Sequence, residues 1–293
     1  MSAPAVSVVV PTRDRPEPLR RCLQALAGVD YPAGRFEVVV VDDGGATDLA
    51  PLLPRAPAGP RVRLLRQAHG GPGRARNAGA AAAEGQVLVF TDDDCAPDAG
   101  WLRALVAALG GDPAAAAGGR TINGLASDRF AAASQHIQDL VYAHYNADPA
   151  AARFLASNNL AMPHAAFEAV GGFDGERFPL AAEDRDLCDR WRASGRRLVF
   201  APDAVVWHFH AMSLRGFCRQ HLGYGRGAAR FHAARHERGT GRMRDQLTFH
   251  ADRRVWRAAL ADRSPARAAL LALWQACNAA GYAAERLTPR RGP

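Results

Sequence analysis

Residues Val87 to Pro97 read VLVFTDDDCAP, an apolar run that passes directly into three consecutive carboxylates. Val87, Leu88, Val89 and Phe90 are β-branched and aromatic enough for a buried parallel strand. Asp92, Asp93 and Asp94 then fall at its carboxyl end, where open α/β sheets take their ligands. Adjacent negative charges repel, so a fold tolerates three of them at the lip of a pocket when something positive meets them. A divalent cation carrying a phosphorylated ligand suits that place, because hard oxygen donors fit Mg2+ or Mn2+. The competing structural reading is a solvated turn ahead of the helix that begins near Trp101.

Working outward, Val6 to Val10 is an apolar strand followed by Pro11 and Thr12, and Leu19, Cys22, Leu23 and Leu26 then show helical spacing. Phe36 to Val41 is a second strand ending at Asp42 and Asp43, Val62 to Leu65 a third, and Arg74 to Ala83 an alanine-rich helix after a glycine-rich loop. Strand, helix, strand, strand, helix, strand with short connections predicts an α/β fold, a mostly parallel sheet flanked by helices. Two strands end in acidic residues, which puts both on one rim.

Helices are predicted over Trp101 to Leu109, Phe130 to Tyr145 and Glu183 to Ser194, and strand-like segments over Arg197 to Ala201 and Val205 to His210. Beyond Ser213 the chain is Arg-rich and helical, read as interrupted at Gly223, Gly225 and Gly227. The expected division is an α/β domain over 1–212, with halves 1–99 and 100–212, and a helical extension over 213–293.

The chain has 293 residues, 48% of them hydrophobic, enough for a full core. Five cysteines without paired spacing argue against a zinc site or a disulfide framework and for a reducing compartment. No secretory leader is read at the start, so a cytoplasmic protein is expected. The net charge of +8 is unevenly spread: Ser213 to Pro293 carries 16 Arg against 5 acids, Met1 to Met212 21 Arg against 24. Every basic residue is arginine. A basic tail suits an anionic membrane, nucleic acid or an acidic substrate, and the stretch Arg267 to Tyr282 is read either as a helix able to lie peripherally in the headgroup region at the inner face of the plasma membrane or as a C-terminal helix packed on the α/β domain.

Asp184 shares a helical face with Leu187, Cys188 and Trp191, so its carboxylate is directed inward. It is either a helix-start residue favoured by the macrodipole or a general base in a cleft. His208 and His210 alternate in VVWHFH, and the expectation is that they point to opposite faces, leaving one at the site. The loop Gly70 to Gly73 precedes a helix carrying Arg74, Arg76 and Asn77 and could receive a phosphate, but it has neither a P-loop lysine nor GxGxxG.

The ordered set VSVVVPTRDRPEPLRRCLQAL, VVVDDGG, GPGRARNAG, VFTDDDCAP, VGGFD, AEDRDLCDRW and VWHFH resembles family 2 glycosyltransferases of the GT-A fold, over roughly residues 6–210. The resemblance implies a donor site for a UDP-, GDP- or dTDP-sugar at Pro11, Thr12, Asp14, Asp42, Asp43, Arg76, Asn77, Asp92 and Asp93. It implies Mn2+ or Mg2+ held by Asp92, Asp94 and His208, Asp184 as catalytic base of an inverting displacement, and Glu183 and Trp191 on the acceptor side. The acceptor would be a glycan, a lipid-linked compound or a small molecule. Processive members carry a QxxRW motif, absent here, so transfer of one or a few sugars is expected.

A sugar-phosphate nucleotidyltransferase would also join such a sheet to metal-binding aspartates, but it would show a glycine-rich basic signature after the first strand, where PTRDRPEP stands instead. A nucleic-acid or membrane-binding module is suggested only by the tail. Aromatic residues are sparse there and no nucleic-acid motif occurs, so no nucleic-acid partner is expected.

Overall fold

The computed structural model describes residues 5–54, 59–241, 249, 252–259, 261 and 264–288. Strands Val6–Thr12 (β1) and Phe36–Asp43 (β2) are buried along nearly their whole length, as strands covered on both faces must be. Their side chains alternate between two layers. Val8, Val10, Val38 and Val40 pack with Leu19, Cys22 and Leu26 of helix Pro16–Ala27 (α1). Val9, Val39 and Val41 pack on the other side with Ala75 and Ala80 of helix Pro72–Ala81 (α2). This is the period-2 burial of a two-sided sheet.

Strand Arg61–Gln67 (β3) pairs in parallel with β2, and Val87–Thr91 (β4) in parallel with β1. Thr12, Asp43 and Thr91 therefore leave the sheet at one rim, as the sequence pattern requires. The remaining elements are Cys95–Pro97 (β5), Trp101–Leu109 (α3), Ala115–Asn123 (β6), Arg129–Tyr145 (α4), Asn159–Pro163 (β7), His164–Ala169 (α5), Glu183–Ala193 (α6), Arg197–His208 (β8), Leu214–Arg238 (α7), Arg253–Ala259 (α8) and Pro265–Leu287 (α9). The eight strands run in the order β3-β2-β1-β4-β7-β6-β8-β5. Strand β7 is antiparallel to both β4 and β6, β8 is parallel to β6, and β5 is antiparallel to β8.

Two expectations are corrected here, and a third is decided between its alternatives. The segments 197–201 and 205–210 are not separate, since β8 is one strand from Arg197 to His208 whose register against β6 shifts between Gly119 and Arg120. Asn159 spans that irregularity, donating from Nδ2 to the carbonyls of Ala204 (2.8 Å) and Arg120 (3.2 Å).

The glycines of the tail do not interrupt its helix. Helix α7 runs unbroken through them, and they are places of close approach: a Cβ on Gly225 would stand 2.0 Å from the Asn278 carbonyl oxygen of α9, and one on Gly281 2.1 Å from that of Leu222.

The stretch Arg267 to Tyr282 turns its large apolar residues Leu270, Leu271, Leu273 and Trp274 inward, as the packing alternative has it. Leu271 and Trp274 are buried in a cluster with Ile137 and Phe217, while the residues α9 exposes include Ala266, Ala269, Ala272 and Ala276. Part of the tail's positive charge is internally paired: Arg235 and Arg238 meet Asp189, Arg238 also meets Asp186, and Arg230 meets Glu285. Among the described residues no helix is long and apolar enough to cross a membrane.

Candidate active site

The carboxyl rim of β1, β2 and β4 forms one wall of a cavity of about 670 Å3, and α4, the start of α6, α7 and α9 form the others. Two arginines and two histidines meet the three aspartates. Arg15, just past β1, donates to Asp93 Oδ1 at 2.6 Å and to Asp94 Oδ2 at 2.7 Å. Arg76, on α2 and almost fully buried, donates to Asp92 Oδ1 at 2.7 Å and to Glu183 Oε1 at 2.9 Å. The solvated turn is excluded, because Asp93 and Asp94 are only 3% and 4% exposed.

Asp93 accepts from Thr12 Oγ1 (2.7 Å) as well as from Arg15, so both of its oxygens are engaged within the protein. Burial pushes its carboxyl up to about 7 against the pull of Arg15 and Thr12. Asp94 is buried too, yet hydrogen bonds from His208 and His210 and the Arg15 charge hold its carboxyl well below the usual range. His208 Nε2 lies 3.2 Å from Asp94 Oδ1 and His210 Nδ1 3.2 Å from Oδ2, with the two rings stacked at 5.4 Å. The expectation of opposed imidazoles is therefore wrong: residues two apart in an extended chain share a face, and both histidines are at the site.

A carboxylate oxygen of Asp94, a ring nitrogen of His208 and Cys95 Sγ lie within 4.8 Å of one another. Burial and the neighbouring carboxylates raise the Cys95 thiol well above its ordinary value, which favours the protonated sulfur. The remaining oxygen and imidazole donors suit Mn2+ or Mg2+. Asp92, the third expected ligand, lines the same cavity with one oxygen on Arg76.

Asp43 lines the cavity, but its carboxylate accepts from Gln67 Nε2, His69 Nδ1 and the backbone amides of Gly70 and Gly71, at 2.7 to 2.9 Å. The glycine-rich loop thus spends these two amides on Asp43 and not on a phosphate. Despite burial, those bonds lower the Asp43 carboxyl. Pro11 and Thr12 also line the cavity.

Four sequence-predicted residues are not part of the cavity lining. Asp42 is 2% exposed and accepts from the Gly45 amide. Asp14, at φ 53°, accepts from the amides of Ala46 and Thr47 and braces that turn. Asn77 clamps the backbone of Phe173 through both ends of its amide. Trp191 is a correction to the acceptor-side expectation: it is fully buried in the core and donates from Nε1 to the Arg197 carbonyl at 3.0 Å. Its place on the inward stripe of α6 made it a packing residue.

Glu183 and Asp184 open α6 at the cavity wall. Ala182 occupies the cap position with φ 74°, and among the described residues the Asp184 carboxylate accepts only from the adjacent Arg185 amide, at 2.7 Å. Asp184 is half-buried. Burial, and Glu183 beside it, push its carboxyl up to about 7. Sequence reasoning missed Arg15, His69 and His210, although Arg15 was legible as the second arginine of PTRDR. It also missed Ser134, Gln220, His221 and Tyr224, which line the cavity from the helical side and belong to no motif.

The profile described as "Glycosyl transferase family 2" matches residues 7–171. Among curated proteins, the pre-mycofactocin glycosyltransferase of Mycobacterium tuberculosis is 30% identical over 231 residues, covering 76% of this chain and 47% of that protein. An N-acetylglucosaminyltransferase of Bradyrhizobium diazoefficiens is 29% identical over 243 residues, covering 78% and 49%. The chain thus spans about half the length of these relatives. Among solved structures, a mannosyltransferase from Pyrobaculum calidifontis in complex with GDP-Man and Mn2+ superposes with a TM-score of 0.71 at 21% identity, covering 98% of this chain and 88% of that one. TarS 1–349 of S. aureus in complex with UDP-GlcNAc gives 0.55 at 17%, covering 96% and 90%. The fold is that of the GT-A structures. The chain belongs to glycosyl transferase family 2.

Proposed function

We propose that this chain transfers a sugar from a nucleoside-diphosphate sugar to an acceptor hydroxyl with inversion, in a metal-dependent reaction that makes a glycan, a glycolipid or a glycosylated metabolite. The observation that carries the proposal is the placing on one cavity of the buried Asp94 and the partly buried His208 with a half-buried carboxylate, Asp184, at the opening of α6. Residues 1–212 are taken as the catalytic part and 213–293 as a helical extension that completes the acceptor side.

Pro11, Thr12 and Asp43 stand at the nucleotide end, with Arg76 and Asp92 closer to the transferred sugar. Asp184 accepts the proton of the acceptor hydroxyl as its oxygen attacks the anomeric carbon, and the bond from that carbon to the diphosphate oxygen breaks with its electron pair leaving on the diphosphate. One base on the side opposite the leaving group gives inversion. Asp94 and His208, with Asp92, would hold Mn2+ or Mg2+, which supplies Lewis-acid neutralisation of charge developing on the diphosphate. Glu183 keeps Arg76 in place against Asp92. The solved relatives' complexes with GDP-Man and Mn2+ and with UDP-GlcNAc support the class of donor.

A peripheral membrane contact is also proposed, now on α7, where Leu214, Arg215, Arg219, Leu222 and Arg226 are exposed. Screening UDP-, GDP- and dTDP-sugars with Mn2+ or Mg2+ tests the main proposal. One donor should be hydrolysed, and should stabilise the protein thermally, only when metal is present. Inertness toward all of them with either metal would refute it.

A further inference from the structure

The cavity continues from the aspartates into a lobe between α4, α7 and α9, and the lobe differs in chemistry from the donor end. Among the described residues lining it from those helices there is no Asp, Glu or Arg. Ile137, Val141, Tyr145, Phe249 and Trp274 supply apolar and aromatic wall. Within this lining His221 is 1% exposed, and among the described residues neither of its ring nitrogens has a hydrogen-bond partner. Its ring packs edge-on against Phe217, with centroids 4.3 Å apart. Leaving a buried polar group unpaired is costly and uncommon in folded proteins.

We infer that this lobe is the acceptor subsite, that it takes an uncharged acceptor with a flat apolar ring, and that His221 is the specificity-determining residue that hydrogen-bonds a polar group on it. This rests on the glycosyltransferase reading above for the word acceptor, while the pocket chemistry stands on its own observations. A charged group would lose its hydration in the lobe with no Asp, Glu or Arg of α4, α7 or α9 to replace it. An aromatic body exchanges water for ring contacts with Tyr145, Phe249 and Trp274. Burial pushes the His221 imidazole down to about 4, so at neutral pH it offers one donor and one acceptor nitrogen, which matches a hydroxyl or amide on the ligand.

The test measures direct binding by calorimetry, in the presence of nucleoside diphosphate and Mn2+, so that it does not depend on turnover. The probes are 4-nitrophenyl glucoside and 2-naphthol, against glucose, 4-hydroxybenzoate and farnesyl phosphate. The aryl neutral probes should bind at least about tenfold more tightly than the other three. His221→Phe, which keeps the ring and removes both nitrogens, should weaken aryl binding by about tenfold, and His221→Gln should recover part of it. Equal binding of glucose, preference for farnesyl phosphate or the benzoate, or unchanged aryl affinity in His221→Phe would overturn the inference; the last result would mean that the imidazole is merely buried or met by water. Donor hydrolysis, measured separately, reports on the enzymatic reading. Hydrolysis without aryl preference sinks only the subsite, and aryl binding without hydrolysis sinks only the transferase.

Discussion

Cys95 pairs with His208 across the antiparallel ladder of β5 and β8, and that register brings a histidine 113 positions downstream to the aspartates. The amide of Phe209 donates to the Asp94 carbonyl at 2.8 Å, which locks the flanking histidines on either side of Phe209 onto one carboxylate.

Because both imidazoles reach Asp94, both should matter to the metal. Asp94→Asn is expected to abolish Mn2+-dependent binding of a nucleoside diphosphate. His208→Ala and His210→Ala should each weaken it, by about 10- to 100-fold for the loss of a ligand or of a group that orients one. Titration calorimetry with Mn2+ and nucleoside diphosphate decides this, and an unaffected Asp94→Asn would remove the metal assignment.

Asp184 supplies a pH prediction with a definite sign. Its proton affinity is raised, so below about pH 7 the carboxyl becomes neutral and can no longer accept the hydroxyl proton. Transfer should therefore fall tenfold per unit on the acid side of about 7, and Asp184→Asn should lose transfer at every pH while donor affinity holds. Steady-state rates across pH 5 to 9, with donor binding measured in parallel, check both statements. An active Asp184→Asn protein would return the residue to a structural role at the start of α6.

Gly225→Ala should destabilise the protein by about 1 to 3 kcal/mol, the usual cost of overpacking a tight contact. The added methyl would meet the Asn278 carbonyl at 2.0 Å, and backbone cannot swing aside as a flexible side chain can. Gly223→Ala, with nothing within 4 Å of its Cβ, should be neutral or mildly stabilising by helix propensity. Urea denaturation of the two variants gives the comparison, and equal stabilities would mean that α7 and α9 are not packed this closely.

The local sequence determined the strands and helices of the first hundred residues, and hence the rim on which Thr12, Asp43 and Asp92 to Asp94 stand, because short apolar runs, glycine turns and helical spacing are readable over a few residues. It also singled out Asp184, whose inward position follows from its spacing to Leu187, Cys188 and Trp191. Only the tertiary structure decided which residues of those motifs reach the cavity. Asp42, Asp14, Asn77 and Trp191 carry the right side chains in the right motifs, yet they hold a turn, a loop or the core. The convergence of His210 with Asp94 and of His221 with the rear of the cavity depends on pairing between β5 and β8 and on the packing of α7 against α9. Contacts between residues far apart in the chain are set by how whole elements close upon each other, and no local periodicity encodes that closure.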